Sequence, residues 1–187
     1  PDNLGLKLNC KKIKTKQLYW MLINNYYDTN SKPNPQLYWE EKYEIHEDHF
    51  RLIYELPYKV MRLTDVQSLQ YKLLYRIINC NQWLCRMKIK ESDKCRFCAD
   101  IETIEHFFCT CQVTADFWSA VLSWWNSLDV PKYNELHVCD IMFGVPEVIG
   151  IGKVLNCCIM LGKMCIYKQK QFDKQQNIYF TYNYKNF

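Results

Sequence analysis

Glycine is scarce in this sequence, and the short motifs that mark common active sites are missing. Only five glycines occur in 187 residues, and no glycine-rich loop able to cradle phosphate groups is present. The chain also lacks a nucleophile elbow of the G-x-S-x-G type and the adjacent aspartates with which a two-metal polymerase holds its ions. We therefore predict that this chain is not an enzyme by itself.

Long apolar runs are missing as well. No run approaches the roughly 18 residues of a membrane span, and residues 1–14 lack the apolar centre of a signal peptide. The 11 cysteines do not indicate a secreted disulfide framework, because their number is odd and several lie within helical patterns. We expect an intracellular protein, cytoplasmic or nuclear, that keeps its thiols reduced and does not bind a membrane.

Four side chains of metal-binding type fall close together in the segment 92–113. Cys95, Cys98, His106 and Cys111 follow a C-x2-C-x7-H-x4-C spacing. A C-x2-C pair lets two thiolates bind one ion from a tight turn, and a following His and Cys complete a tetrahedral Cys3His site. This donor set favours Zn²⁺, and four protein ligands leave no position for water, which indicates a structural role. The alternative is a set of buried free cysteines in a cysteine-rich chain.

The spacing leaves the fourth ligand open, because Cys109 and Cys111 both follow His106 closely. Two residues between His106 and Cys109 make a short span, whereas four residues between His106 and Cys111 make a more comfortable one. Geometry therefore mildly favours Cys111. Cys109 would then be a small buried hydrophobic residue, which is the commonest fate of a free cysteine.

Helical periodicity dominates the rest of the chain. The expected helices cover residues 15–28, 34–39, 47–55, 64–78, 81–87, 113–130 and 146–172. Pro57 is expected to end the third of these, and Thr64 with Gln67 to form a capping box at the start of the fourth. Glycines at positions 150, 152 and 162 weaken the last helix. The sequence does not decide whether the tail is a strand or an ordered extension.

These patterns predict a mainly α fold, a helical domain of several short and two longer helices around a small Cys3His zinc knuckle. Hydrophobic residues make up 49% of the chain and aromatic residues 16%, which is enough apolar surface for one compact unit. The aromatic stripe of the helix after Cys111 is expected to pack in the core, with base stacking as the alternative. The predicted parts are an N-terminal helical part with a basic leader (1–90), the zinc knuckle (91–113), a C-terminal helical part (114–172) and a tail (173–187).

The net charge of +4 is unevenly spread along the chain. Residues 86–96 carry five basic side chains against Glu91 and Asp93. We name these five the basic rim, and they are Arg86, Lys88, Lys90, Lys94 and Arg96. Such a cluster is compatible with a polyanionic partner, although solvated surfaces produce similar clusters.

With the metal motif and its flanks taken together, residues 63–118 resemble the C-terminal segment of reverse transcriptases from LINE-type (non-long-terminal-repeat) retrotransposons. That region is often called the reverse transcriptase zinc-binding domain. The shared marks are Gln70-Tyr71-Lys72, the Cys95/Cys98 pair, Glu102-Thr103, Glu105-His106, Cys111 and Phe117-Trp118. Residues 14–23 and 161–171 also look like flanking helices of that family. Two positions depart from the family pattern, Cys109 in place of a bulky apolar residue and Gln112 in place of a frequent proline.

The resemblance implies zinc ligands at Cys95, Cys98, His106 and Cys111, and so selects Cys111 over Cys109. It further implies a segment that lies downstream of the polymerase and helps to hold element RNA or target DNA. The upstream reverse transcriptase domains would then be partners of this segment.

Two hypotheses follow for the function of this chain. The first is a non-catalytic accessory module that binds RNA or DNA, in which the basic rim contacts phosphates and exposed rings such as Trp83 or Phe97 stack on bases. The second is a zinc-stapled helical module for structural or protein-interaction roles, derived from a decayed or host-adopted retrotransposon fragment. The acidic stretch between residues 40 and 55 and the abundant aromatics suit the second hypothesis.

Overall fold

The computed structural model describes residues 34–146 and 149–172. They form helices joined by loops, so the prediction of a mainly α fold is confirmed. The helices are α1 (Asn34–Tyr43), α2 (Glu47–Val60), α3 (Thr64–Leu74), α4 (Asn81–Arg86), a π-helical turn (His106–Thr110), α5 (Gln112–Ser127), α6 (Val138–Phe143) and α7 (Ile151–Phe172). The helix expected over residues 15–28 and the tail 173–187 lie outside the described residues. None of the described helices combines the length and hydropathy of a membrane span.

The last helix, α7, is the element around which the others pack. It contacts α2, α3, α6 and the π-helical turn. It begins five residues later than Pro146, where its start was expected, and then runs without a break through Gly162. Its buried face includes residues spaced three or four apart, namely Leu155, Ile159, Lys163, Ile166 and Lys170. This spacing is the period of one helix face, and two of its positions are lysines.

Pro57 was expected to end the helix over residues 47–55, and this expectation is wrong. α2 continues through Pro57 to Val60, although proline in a helix interior removes one backbone hydrogen bond. Leu56, Pro57 and Val60 are all buried, and a cluster that includes Leu56 and Val60 packs against Met160 of α7. The apolar contacts of the last turn therefore outweigh the backbone penalty.

The helix expected over residues 64–78 is shorter than predicted and lacks the predicted capping box. Leu63 occupies the N-cap of α3 without a side-chain hydrogen bond, and the Gln67 amide instead donates to the carbonyl of Met61 at 2.7 Å. After Leu74 the chain turns through Arg76, whose φ is +57°. Ile78 is buried beyond the end of the helix, so its apolar character reflects core packing and not a longer helix.

Tryptophan side chains join the helices to the loops between them. Trp39, Trp118 and Trp125 are buried, and their indole N–H groups donate to the carbonyls of Leu74 (2.9 Å), Phe108 (2.7 Å) and Pro131 (3.1 Å), respectively. Core packing of the α5 stripe is thus confirmed for Trp118 and Trp125. Trp124, on the same helix, is 49% exposed.

Helix α6 was not predicted. It has six residues, too few for a periodic pattern, and the Asp140 carboxylate accepts a hydrogen bond from the backbone N–H of His137 at 2.9 Å. Gly144, with φ of +92°, ends it. His137 and Asp140 therefore cap the start of this helix.

Gly162 allows the close approach of α7 to α5. A Cβ atom at this position would lie 2.7 Å from Cη2 and 2.9 Å from Cζ3 of the buried Trp118 indole. We expect Gly162→Ala to lower the free energy of unfolding by about 1–2 kcal/mol, because overpacking costs more than the helix propensity that alanine restores. Urea unfolding monitored by circular dichroism measures this loss.

Trp118→Phe provides the control for this substitution, since the smaller ring withdraws from the new methyl group. In the Trp118→Phe background, the cost of Gly162→Ala should shrink by more than about 0.5 kcal/mol. Additive effects of the two substitutions would contradict the proposed contact.

Lys163 lies fully buried between three helices. Its ammonium donates to the Gln70 Oε1 atom of α3 at 2.5 Å and to the carbonyl of Met142 in α6 at 3.3 Å. The Gln70 amide donates to the same carbonyl at 2.8 Å. Burial lowers the pKa of Lys163 to about 7, because the apolar surroundings disfavour the charged form.

This buried lysine should make stability depend on pH. Between about pH 7 and pH 10 the unfolded chain binds the lysine proton and the folded chain does not, so stability rises with pH by up to about 1.4 kcal/mol per unit. Lys163→Met removes this contribution. Urea unfolding of both proteins between about pH 7 and 9.5 should give curves that diverge with pH, whereas parallel curves would show that Lys163 stays charged when folded.

Candidate metal centre

The structure brings the four predicted ligands together. The ligand atoms of Cys95, Cys98, His106 and Cys111 all lie within 4.8 Å of one another. The Sγ atom of Cys111 is 3.8 Å from that of Cys95 and 4.0 Å from that of Cys98, and the Cys98 Sγ atom is 3.2 Å from His106 Nε2. Two sulfur atoms bound to a tetrahedral ion at about 2.3 Å would be about 3.8 Å apart. The group can therefore hold one metal ion.

Cys95 and Cys98 sit on a tight hairpin turn. Its base is the antiparallel bridge between Lys94 and Ile101, and the Cys95 N–H donates to the carbonyl of Asp100 at 2.6 Å. Inside the turn, the Phe97 N–H lies 3.5 Å from Cys95 Sγ. A backbone N–H directed at sulfur favours the thiolate form, which is the form that binds metal.

The π-helical turn aligns His106 with Cys111. Residues five apart in an α-helix differ by about 140° around the axis and face different sides. Here the Cys111 N–H donates to the carbonyl of His106 at 3.2 Å, so one turn contains an extra residue. This brings the two side chains to the same side. The Thr103 hydroxyl accepts a hydrogen bond from the His106 N–H at 3.0 Å and fixes the start of the turn.

Cys111 also opens the long helix α5. Its carbonyl accepts hydrogen bonds from the Ala115 N–H at 2.8 Å and from the Thr114 hydroxyl at 2.9 Å. The N-terminus of a helix carries a partial positive charge that stabilises a thiolate. Through Cys111 the metal-binding group is thus connected directly to a helix of the core.

Cys109 does not belong to the group. It is buried in the main core with Phe107 and Phe108, and burial raises the pKa of its thiol to about 12. The structure therefore selects Cys111 as the fourth member and confirms Cys109 as a buried hydrophobic residue. In a π-helical turn the two residues point to different sides, and this is why only one of them meets His106.

Burial sets the protonation of the group in the absence of a cation. It raises the pKa of the Cys95 thiol to about 11, and burial with the nearby charge of Lys170 lowers the pKa of His106. The imidazole is then neutral, as a metal ligand must be, while the thiol keeps its proton. Binding of a divalent cation therefore has to displace protons from the thiols.

Lys170 near the end of α7 is a component of this region that sequence reasoning missed. Its buried ammonium donates to the carbonyl of Phe107 at 2.9 Å, and its charge interacts with the three cysteines of the group. A Cys3His site with a divalent ion carries one net negative charge, so a buried ammonium close by offsets it. The sequence did indicate its burial, because Lys170 lies at helical spacing from the buried apolar residues of α7.

Asn81 fastens the hairpin to α4. Its backbone N–H donates to the Glu102 carboxylate at 2.9 Å and its side-chain amide donates to the carbonyl of Lys94 at 2.8 Å. The Lys90 ammonium donates to Asn81 Oδ1 at 2.7 Å. One buried asparagine therefore contacts two residues of the basic rim as well as the Glu102 carboxylate.

The five residues of the basic rim are all exposed. Three of them precede the hairpin in the chain and the other two lie in it. Two aromatic rings close to the rim in the sequence, Trp83 (42% exposed) and Phe97 (37% exposed), are also open to solvent. The Arg96 guanidinium lies 4.8 Å from the centre of the Phe97 ring. Lys90 differs from the others, because its ammonium is held by Asn81.

Removal of one ligand should abolish stoichiometric metal binding. We expect Cys111→Ser to reduce the metal content of protein prepared with Zn²⁺ from one equivalent to less than about a tenth. Cys109→Ser is the matched control, since it changes a thiol two residues away that lies outside the group, and it should keep the full equivalent. Elemental analysis of both variants measures this difference, and equal metal loss in the two would contradict the ligand assignment.

Comparison with known proteins yields no relative. No family model, no curated protein and no solved structure matches this chain. The resemblance of residues 63–118 to the reverse transcriptase zinc-binding domain accordingly stays a hypothesis. What the structure adds is the metal-binding group itself, together with the elements that hold it.

Proposed function

We propose that this chain is a zinc-stabilised, non-catalytic module that binds nucleic acid, of the kind found at the C-terminus of LINE-type reverse transcriptases. The observation that carries the proposal is the exposure of all five residues of the basic rim on the segment that the Cys3His group holds in place. A polyanion can then approach several cations whose backbone positions are already fixed.

Zinc is the ion that the donor set favours. Three thiolates and one imidazole suit a borderline-soft cation with tetrahedral coordination. The sulfur–sulfur distances of 3.8 and 4.0 Å fit such an ion without movement of the backbone. Zinc at this position would join the hairpin to α5 and so stabilise the fold. Because all four ligands come from the protein, no coordination position is left for a substrate.

The charges of the rim are available for phosphate contacts. Arg86, Lys88 and Lys94 form no ion pair within residues 34–146 and 149–172. Contacts of lysine and arginine to phosphates release counterions, so the affinity falls steeply with salt and carries no sequence information. We therefore infer that the rim contributes general affinity for nucleic acid, RNA or DNA.

Exposed rings add a second kind of contact. Trp83 and Phe97 lie on the same segment as the rim cations, and each presents more than a third of its surface to solvent. Stacking of a base on such a ring contributes about 1–3 kcal/mol and tolerates any base. Surfaces that bind single-stranded nucleic acids usually combine aromatic rings with neighbouring cationic side chains.

A protein-binding role is the second candidate function. Three aliphatic side chains of this segment, Met87, Ile89 and Ile101, are exposed, and apolar residues in the open are typical of a protein contact surface. In that role the zinc site would staple the helices together and the cations would be peripheral. Charge reversal separates the two roles, since only nucleic-acid binding requires the cations.

We expect the double substitution Lys88→Glu/Lys94→Glu to weaken binding to a single-stranded oligouridylate at least tenfold near 100 mM salt. Each lost phosphate contact should also make the slope of log affinity against log salt shallower by about 0.7. Lys90 is left unchanged because it supports Asn81. Fluorescence anisotropy between about 50 and 200 mM salt gives both quantities.

The matched control is Lys153→Glu/Lys168→Glu, which changes the net charge equally on exposed positions of α7. It should reduce affinity by less than about threefold. Equal effects of the two double substitutions would show that only net charge matters. A response of the unmodified protein that is flat with salt would contradict phosphate binding altogether.

A further inference from the structure

A cleft lined by tyrosines lies between α2 and α3, in a part of the molecule that carries neither the metal-binding group nor the basic rim. Its volume is about 250 Å³. We name it the tyrosine cleft, and its lining residues are Tyr54, Pro57, Tyr58, Gln67, Tyr71, Leu74 and Tyr75. No carboxylate or ammonium group is among them.

Two rings of the cleft are stacked and a third is tilted against them. Tyr71 and Tyr75 are stacked with ring centres 4.3 Å apart, and the Tyr75 and Tyr54 centres are 6.1 Å apart. Tyr54 and Tyr75 are half-buried, whereas Tyr71 is 48% and Tyr58 67% exposed. A flat ligand can therefore extend the stack at the solvent side without disturbing the buried rings.

The hydroxyl groups of these tyrosines are not used by the fold. Within the described part of the chain, Tyr54, Tyr58, Tyr71 and Tyr75 make no side-chain hydrogen bond. Burial and the neighbouring Tyr75 raise the pKa of Tyr54 to about 12, so the Tyr54 hydroxyl keeps its proton and can donate. A ligand with several acceptors would satisfy them.

The charges around the cleft favour an anionic ligand over a cationic one. Glu55 is the acidic residue next to the lining, and its carboxylate already accepts from Arg51 at 3.1 Å and Lys59 at 2.8 Å. From α1, Glu40 approaches Tyr54, but its carboxylate accepts a hydrogen bond from the Gln36 amide. An aromatic cage for a quaternary ammonium group relies on ring faces and is strengthened by negative charge, and here the Glu55 carboxylate is already paired with two cations.

Positive charge predominates at the edges of the cleft. Lys59 ends the α2 side, Arg62 lies in the connection to α3, and Lys72 follows Tyr71 on α3, with all three side chains exposed. Exposed rings flanked by cations form the surface on which single-stranded nucleic acids bind, since bases stack on the rings while phosphates meet the cations. An uncharged proline-rich peptide would use the rings but not these cations.

We propose that the tyrosine cleft is a base-stacking site for single-stranded nucleic acid, in addition to the basic rim. One base lies against Tyr71 and Tyr58, and the phosphates on either side of it meet Arg62 and Lys72, since Lys59 is already paired with Glu55. This inference rests on the proposed function, because it names the same class of partner, but it assigns a separate surface to that partner.

The test compares Tyr58→Ala/Tyr71→Ala with Tyr58→Phe/Tyr71→Phe, which keeps both rings. The probes are a short oligouridylate, an oligothymidylate of equal length, and an abasic strand with the same number of phosphates. We expect the alanine variant to bind the base-containing strands about five- to thirtyfold more weakly, with an unchanged salt slope and unchanged binding to the abasic strand. The phenylalanine variant should bind the abasic strand as the unmodified protein does and the base-containing strands within about threefold of it, because it keeps both rings and loses only two exposed hydroxyl groups.

The outcomes separate this inference from the proposed function. If the alanine variant binds oligouridylate and oligothymidylate normally while Lys88→Glu/Lys94→Glu does not, the cleft proposal is overturned and the proposed function stands. If the unmodified protein binds neither strand, both fall. Binding of a proline-rich peptide that oligouridylate fails to displace would assign the cleft to peptides. Metal content and thermal unfolding of each variant confirm that these exposed substitutions leave the fold intact.

Discussion

The convergence of Cys95, Cys98, His106 and Cys111 is the constraint on which the loop-rich half of this molecule depends. The hairpin that carries the first two is closed by one backbone bridge, too little to hold a turn in water. The π-helical turn is likewise a rare departure from α-helical geometry. An ion bound by all four side chains would make these two weak elements support each other. The free energy of metal binding then becomes folding free energy for both.

A few direct contacts connect the metal-binding group to the core. Cys111 begins α5, and seven residues later Trp118 donates from its indole to the carbonyl of Phe108 inside the π-helical turn. Lys170 reaches the neighbouring carbonyl of Phe107 from α7. The turn is thus held by one ligand, one indole and one ammonium from three directions. Loss of the ion should be felt at α5 and α7 as well as at the hairpin.

Local features of the sequence predicted the metal-binding group well, because its ligands lie within 17 consecutive positions of one another and their spacing limits the geometry. Features that depend on distant contacts were not predictable in this way. The second helix continues past Pro57 because Leu56 and Val60 pack against Met160 of α7, and Ile78 is apolar because it packs in the core beyond the end of its helix. Lys163 and Lys170 resemble solvent-facing residues of a helix until their register with Leu155, Ile159 and Ile166 is noticed. Both lysines find acceptors on elements far away in the chain.

The metal-binding group and the basic rim are neighbours in the chain. A bound ion would therefore stabilise the surface that we propose binds nucleic acid. Flexible cations lose conformational entropy when they meet phosphates, and this loss reduces affinity. In this chain Asn81 binds the Lys90 ammonium and the backbone carbonyl of Lys94, so one side chain of the rim and one point of its backbone are fixed close to the ligands. The entropy is then lost on folding, where metal binding offsets it, and not on association with the strand. Under the proposed function, a rim built this way would need few charges to bind a strand.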